Sequence, residues 1–385
     1  MGELGVSGPT SSTKAPRPEE VEPFIRGSAF SRGAGCSYPR ANPRDKDRLP
    51  LDTWGTAMIP VGVRIEFTGD AEEVQIAYMT STEELGYRGD GAGRNFSLWR
   101  GGVLVDEQPA KLGEAKVRLS TGIGSLGTHA SGPDGGNASS DVPAIVYLPE
   151  GMRPSILSLE GIGGTITPAE VQPRWIAYGD SVAEGWVASS PAGAWPAIAG
   201  RQYGLDVVNM GYAGAARGEI VSAQHIAGLE PQSFAVISIS HGTNCWTRIP
   251  FSAGMIAEGT KAFIEVIRGS HPEVPIVVAS PVIRPDAEET PNCLGATLGD
   301  LRDAIEASVI KLINAGDCKL VLLSGLRMIG QEHLADGIHP NDEGHQVMAR
   351  IIGNAVAIAA GTARQSGTPG TDGGSGTPGT PGGSG

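Results

Sequence analysis

Nowhere in the 385 residues do about 18 apolar side chains follow one another, so no transmembrane helix is expected. Lysine and arginine never gather into a block. With 29 of them against 42 aspartates and glutamates the net charge is −13, which denies nucleic acid or an anionic membrane the basic face either needs. Cysteine is scarce. Cys36, Cys245, Cys293 and Cys318 stand far apart without a C-x-x-C pair, the pattern of free thiols in a reducing compartment, although spacing leaves a Cys245–Cys293 bridge open. Met1 to Glu22 is polar and lacks the apolar core of a secretory signal, which predicts a cytoplasmic protein, or a secreted one if a signal has been removed.

What is present is an ordinary globular composition. A hydrophobic content of 40% is enough to bury a real core, and 385 residues suit two domains plus tails. Residues 1–22 read as a disordered arm. Residues 363–385 repeat Gly, Thr, Pro and Ser and read as a disordered tail.

Residues 23–168 carry a β pattern. Ile59–Phe67, Val74–Met79, Phe96–Trp99, Val103–Val105, Lys116–Leu119, Ala144–Leu148 and Ile156–Leu159 are short apolar runs between Gly, Asp and Pro turns, with no sustained helical period. This spacing predicts a β-sandwich, jelly-roll-like in class. Ser120–Asp141 is rich in Gly, Ser and Asn and reads as a long loop. Inside it, Gly122-Ile-Gly124-Ser-Leu-Gly127 matches G-x-G-x-x-G. No helix follows, so the dinucleotide reading fails and no cofactor is expected.

Residues 169–362 alternate strand and helix. Trp175–Tyr178, Asp206–Met210, Phe234–Ser240, Pro275–Ser280 and Lys319–Leu323 read as buried strands. Ala194–Tyr203, Ser252–Gly269, Leu298–Ala315 and Asn341–Ala360 read as helices. In the third of these, Leu298, Leu301, Ile305, Val309 and Leu312 recur on one face. The alternation predicts a parallel sheet covered by helices on both sides.

Chemistry-bearing residues fall just after the strands. Ser181 follows the first, Gly211 and Gly214 the second, Asn244 the third, and Asp336 and His339 the fifth. A parallel sheet brings all strand C-termini to one edge, so these positions converge on one crevice. A serine hydroxyl attacks only when a base takes its proton, and His339 is the candidate base. Asp336 is the candidate partner that orients the ring and stabilises its charge. The N–H groups of Ser181 and Gly214 and the amide of Asn244 are candidate oxyanion donors. No G-x-S-x-G is present, so the nucleophile elbow of α/β-hydrolases is not the arrangement expected.

Gly179-Asp-Ser181, Asn209-x-Gly211-x-x-Gly214, Gly242-Thr-Asn244 and Asp336-x-x-His339-Pro340 resemble, in order, the four blocks of the SGNH (GDSL) hydrolase superfamily. The likeness spans roughly 170–360. It implies a flavodoxin-like three-layer α/β/α domain and metal-free hydrolysis of esters or thioesters. Matched by position, Ser181 is nucleophile and first oxyanion donor, Gly214 and Asn244 are the other donors, and Asp336 and His339 complete a triad. Two positions depart from the pattern: Cys245 stands where the family often has Asp, and Ala215 where a polar residue is common. Neither performs the chemistry in this scheme.

Around these blocks other residues have two readings. Trp186 and Trp246 can stack on a sugar or wall an acyl pocket, or simply pack at the crevice rim. His241 can line the pocket or be a packed strand-end histidine. Glu184 and Arg217 are near the site without a role, and Asp180 reads as a structural turn acceptor. The spacing of His333, His339 and His345 evokes a metal site, but no second carboxylate or Cys set completes a tetrahedron, and no metal is expected.

The expected function is a serine esterase removing a small, acetyl-like acyl group from a carbohydrate or a glycosylated or other small metabolite. A sandwich ahead of the hydrolase domain resembles the layout of several carbohydrate esterases of the superfamily. The absence of a long apolar lid argues against a long-chain lipase. The same acyl-enzyme serves a tailoring acyltransferase equally well, and a non-catalytic carbohydrate-binding protein is the non-enzymatic alternative. The expected partners are small-molecule or carbohydrate esters.

Overall fold

The computed structural model describes residues 20–33, 35–83, 93–124, 139–230, 234–247 and 249–362. Most of the N-terminal arm, the centre of the Ser120–Asp141 loop with half of its G-x-G-x-x-G match, and the Gly/Pro/Thr/Ser tail lie outside them.

The N-terminal part is two antiparallel sheets face to face. Its strands are β1 (Ile25–Arg26), β2 (Arg64–Thr68), β3 (Glu73–Thr80), β4 (Asn95–Arg100), β5 (Val103–Pro109), β6 (Gly113–Ser120), β7 (Ala144–Tyr147), β8 (Ser155–Ile162) and β9 (Thr167–Pro168). One sheet has the order β1-β2-β7-β4-β5, with β9 also on β2, and the other the order β6-β3-β8. Period-2 alternation decides which side chains meet between them. Ile65, Phe67, Phe96, Leu98 and Val146 of the first sheet pack against Val74, Ile76, Tyr78, Leu119 and Ile156 of the second. Val21, assigned to the arm by its sequence context, packs in this core as well.

Two local expectations for this region require correction. A helix is present, α1 (Leu51–Ala57), and its seven residues make too few turns for a repeating apolar face to be legible. The expected strand Ile59–Phe67 begins only at Arg64. Pro60 has no N–H for a ladder, and Gly62 at φ +75° turns the chain before pairing starts.

Beyond the sandwich the chain builds a five-stranded parallel sheet from β10 (Arg174–Gly179), β11 (Asp206–Gly211), β12 (Val236–Ser240), β13 (Ile276–Ala279) and β14 (Leu320–Leu323). The order β11-β10-β12-β13-β14 is the doubly wound, flavodoxin-like order. Alternation again sorts the side chains. Ile176, Tyr178, Val208, Ile237 and Val278 face α4 (Ile220–Ala227), α5 (Ala253–Ser270) and α6 (Leu298–Asn314). Trp175, Ala177, Val207, Val236 and Val277 face α2 (Ser181–Glu184), α3 (Trp195–Tyr203) and α7 (Asp342–Ala360). Helices α6 and α7 start where capping chemistry dictates. Thr297 and Asp300 close a reciprocal box, and the Asn341 side chain accepts from the Gly344 N–H at 2.9 Å. The face Leu298, Leu301, Ile305 and Val309 is buried as its spacing predicts. Helix α4, which the sequence pattern does not reveal, is only eight residues long.

Buried arginines tie the two parts together. Arg64 of β2 bonds Asp206 of β11 at 3.0 Å and Glu66 at 2.6 Å. Arg201 of α3 donates to the Tyr147 hydroxyl at 2.6 Å. A cavity of about 350 Å³ lies in this seam, and none of Ser181, Asn244 or His339 lines it. All four cysteines are free, so the Cys245–Cys293 bridge is not made. Among the described residues no helix is long and apolar enough to cross a membrane.

Candidate active site

At the C-terminal edge of the parallel sheet, β10 ends at Gly179 and the next residues start the single turn of α2. Asp180 caps that turn, accepting from the Val182 N–H at 3.1 Å. The N–H groups of Thr243 and Gly242 also bond its carboxylate, so one buried acid joins the loop after β10 to the loop after β12. Burial pushes its pKa up to about 6, against the pull of these donors. This is the structural role its sequence position suggests.

The buried Ser181 hydroxyl is 2.9 Å from Nε2 of His339. On the far side of the ring, Nδ1 is 2.7 Å from Oδ2 of Asp336. The other Asp336 oxygen accepts from the backbone N–H of Ile338 at 3.0 Å and of His339 at 2.8 Å. The turn that makes this possible passes through Gly337 at φ +81°, a left-handed conformation that costs glycine nothing. Because Asp336 bonds Nδ1, the neutral ring carries its proton there and presents Nε2 as acceptor to the hydroxyl.

Two electrostatic environments follow. Burial lowers the pKa of His339, the hydrogen bond and charge of Asp336 oppose that, and the nearby Arg284 cation adds to it; the net direction is downward. For Asp336 burial acts upward, but the ring and backbone donors of His339, its charge and the Ile338 N–H outweigh it, holding the carboxyl below its ordinary range.

The three candidate oxyanion donors differ in what already holds them. Among the described residues neither the N–H of Ser181 nor that of Gly214 donates to a protein acceptor. Gly214 sits at φ +67°, and a Cβ there would meet nothing within 4 Å. The buried Asn244 gives one amide N–H to the Ala216 carbonyl at 3.2 Å and keeps the second. The loop carrying Gly214 is held by Glu184, which accepts from the Ala213 N–H at 2.9 Å.

Glu184 is in turn paired at 3.1 Å with Arg40, 1% exposed, from the segment preceding α1. Arg40 also donates to the carbonyls of Ile59, Thr56 and Gly211 and lies 5.3 Å over the Tyr212 ring. Arg217 bonds Asp52 of α1 at 3.0 Å and the Gly214 carbonyl at 3.1 Å. Sequence reasoning leaves Arg40 unmentioned, and nothing local marks it. It is an arginine in a turn region, and Glu184 and Tyr212, the acid it pairs with and the ring it covers, lie over a hundred residues downstream.

The remaining candidates divide. Trp186 lies 5.9 Å from the His339 ring, centroid to centroid, and packs on Ile59 and Val61. Val187 beside it has φ +69°, which for a β-branched residue is stored backbone strain at the rim of the site. His241 is buried beside the packed rings of Tyr178 and Phe263, and burial takes its pKa down to about 4. Burial and ring packing fit the packed strand-end reading. His345 is fully buried, accepting from the Trp195 N–H and bonding the Trp186 carbonyl, while His333 lies beside Glu332. Among the described residues no group of His, Cys, Asp and Glu is placed to hold a metal ion. Trp246 donates to the Thr290 carbonyl at 2.7 Å and carries Arg284 4.8 Å above its ring.

A doubly wound sheet with these blocks on its C-terminal edge defines an SGNH-type hydrolase. Residues 172–357 match the GDSL-like lipase/acylhydrolase family. No curated protein matches the chain. Among solved structures it is similar to a salicylyl-acyltransferase from a tetracycline biosynthetic pathway, with 23% identity, 88% of this chain and 94% of that one covered, and a TM-score of 0.71. A GDSL-like lipase from Bacteroides ovatus shares 21% identity over 90% of this chain and 97% of its own, with a TM-score of 0.70. A family two carbohydrate esterase from Clostridium thermocellum, in complex with cellohexaose, shares 15% over 78% and 93%, with a TM-score of 0.56.

Proposed function

We propose that this acylhydrolase is a serine esterase working through an acyl-enzyme on Ser181. His339 takes the hydroxyl proton on Nε2 as Oγ bonds to the ester carbonyl carbon. The oxyanion that forms is met by the N–H groups of Ser181 and Gly214 and the free amide N–H of Asn244. His339 then returns the proton to the departing alcohol. Water repeats the sequence to release the acid. Asp336 holds the ring in the required tautomer and stabilises the imidazolium.

The observation that carries this reading is the unbroken relay from Ser181 Oγ to His339 Nε2 at 2.9 Å and from Nδ1 to Asp336 at 2.7 Å. The substrate in this reading is a small, acetyl-like ester of a carbohydrate or of a glycosylated or other small metabolite. The structural likeness to a carbohydrate esterase extends over more of the chain than the hydrolase domain alone, which supports that choice.

The test is fluorophosphonate labelling of the folded protein, with the labelled peptide located by mass spectrometry. Label on Ser181 that disappears in Ser181→Ala is expected. A folded wild type that takes no label, or takes it elsewhere, defeats the reading.

One observation favours a second acceptor. The likeness to an acyltransferase covers 88% of this chain. The same acyl-enzyme transfers to an alcohol or amine if that acceptor outcompetes water. Product analysis with rising acceptor concentration separates the two, since free acid alone at every concentration excludes transfer.

A further inference from the structure

The loop after β13 places a cation on the rim of this site for which the acyl transfer steps have no use. Arg284 is 7% exposed. Its guanidinium lies 4.8 Å over the face of Trp246, two residues beyond Asn244. Asp286 takes Nε at 2.9 Å and Nη2 at 3.0 Å. The Arg284 N–H is fixed by Glu288 at 2.9 Å, and Glu288 itself is clamped by Arg302 at 2.7 and 2.8 Å. The Trp246 ring is locked by its bond to the Thr290 carbonyl. Every part of this assembly is immobilised except one: Nη1 donates to no protein group among the described residues, and it is absent from the buried polar atoms left without a partner, so it reaches solvent.

A guanidinium with two faces satisfied and one fork arm open is the arrangement that recognises an anionic oxygen. The partner already present offsets only part of its charge, because Asp286 is 56% exposed and therefore screened by water. The cation is close enough to the site to act on His339, whose imidazolium it disfavours.

We propose that Arg284, presented on Trp246, is a specificity residue that selects esters bearing a carboxylate near the scissile bond. This rests on the reading of Ser181 as nucleophile and adds the substrate class. The anion can sit on either side of the ester, and matched pairs of substrates distinguish the two. On the acyl side the pair is 4-nitrophenyl hemisuccinate against 4-nitrophenyl butyrate. On the alcohol side it is 4-acetoxybenzoate against phenyl acetate.

In at least one pair the anionic ester is expected to have about tenfold higher kcat/KM than its neutral counterpart, a difference of about 1.4 kcal/mol. Arg284→Met should collapse that ratio toward one. Asp286→Asn, at a largely exposed position, should raise it by leaving the guanidinium less compensated. Ratios that favour neither ester of either pair in the wild type overturn the proposal. So does a preference that survives Arg284→Met, or one that Asp286→Asn lowers. Each variant is first labelled with fluorophosphonate. Absence of label on Ser181 in the wild type defeats the nucleophile assignment, whereas full labelling with an unaltered ratio defeats this inference alone.

Discussion

The two domains commit their polar residues in opposite ways. On the C-terminal edge of the parallel sheet, Ser181, Asn244, Asp336 and His339 each sit in a single helical turn or a short loop, and their geometry is set mainly by neighbours in the chain. Asp336 reaches His339 across three residues, and Asp180 caps its own turn. The sandwich side contributes buried arginines that work at long range: Arg40 to Glu184, and Arg64 to Asp206. The first group can be altered one residue at a time with little structural consequence, because each member makes only one or two hydrogen bonds through its side chain, or, like Asp336, is exposed. The second cannot, because each guanidinium leaves a buried acid or several carbonyls unpaired when it goes. Rate and stability are therefore expected to separate along the domain boundary.

The most demanding test of that separation is Ser181→Ala. It should lower kcat by roughly 10⁴-fold or more while leaving the thermal midpoint within a few degrees of wild type. A large loss of stability here would erase the contrast. Arg40→Met attacks the other side. Removing one partner of a buried ion pair costs about 3–5 kcal/mol, so the denaturation midpoint should fall steeply, and residual activity should track the folded fraction. An Arg40→Met protein of unchanged stability with lost activity would move Arg40 into the chemistry. Asn244→Ala is intermediate. Loss of one oxyanion donor should reduce kcat by about 10²–10³ with KM little changed.

The smallest expected effect is in the pH profile. His339 must be neutral to act as base, so kcat/KM rises with pH. Its folded value is depressed, so the inflection falls below the ordinary imidazole value of about 6.5. Arg284 contributes to that depression, and Arg284→Met should shift the acid limb toward higher pH. A limb that stays put, or moves down, places the cation too far away to matter.

Much of this is legible in the sequence. The parallel strands run as continuous apolar stretches, and four of the seven helices have enough turns to display a face or a cap. Helices α1 and α4 escaped because seven and eight residues cannot repeat a 3.6 period convincingly. The candidate site was legible for a related reason. Its residues lie in turns whose local composition, such as Gly337 before His339, carries the geometry. His241 shows the limit of this approach, since a histidine at a strand end has the same sequence context whether it faces the crevice or the core. In the structure it is buried beside the Tyr178 and Phe263 rings.

The chain alone therefore determined the order of the elements, the sheet edge on which the blocks gather and which hydroxyl, imidazole and carboxylate are the candidates there. These follow from periodicity and from turns a few residues long. Tertiary structure alone decided which cations reach the site: Arg40 behind Glu184 and Arg284 over Trp246. The reason is physical. A long flexible side chain finds its partner through space, and no local pattern records where its charged end comes to rest.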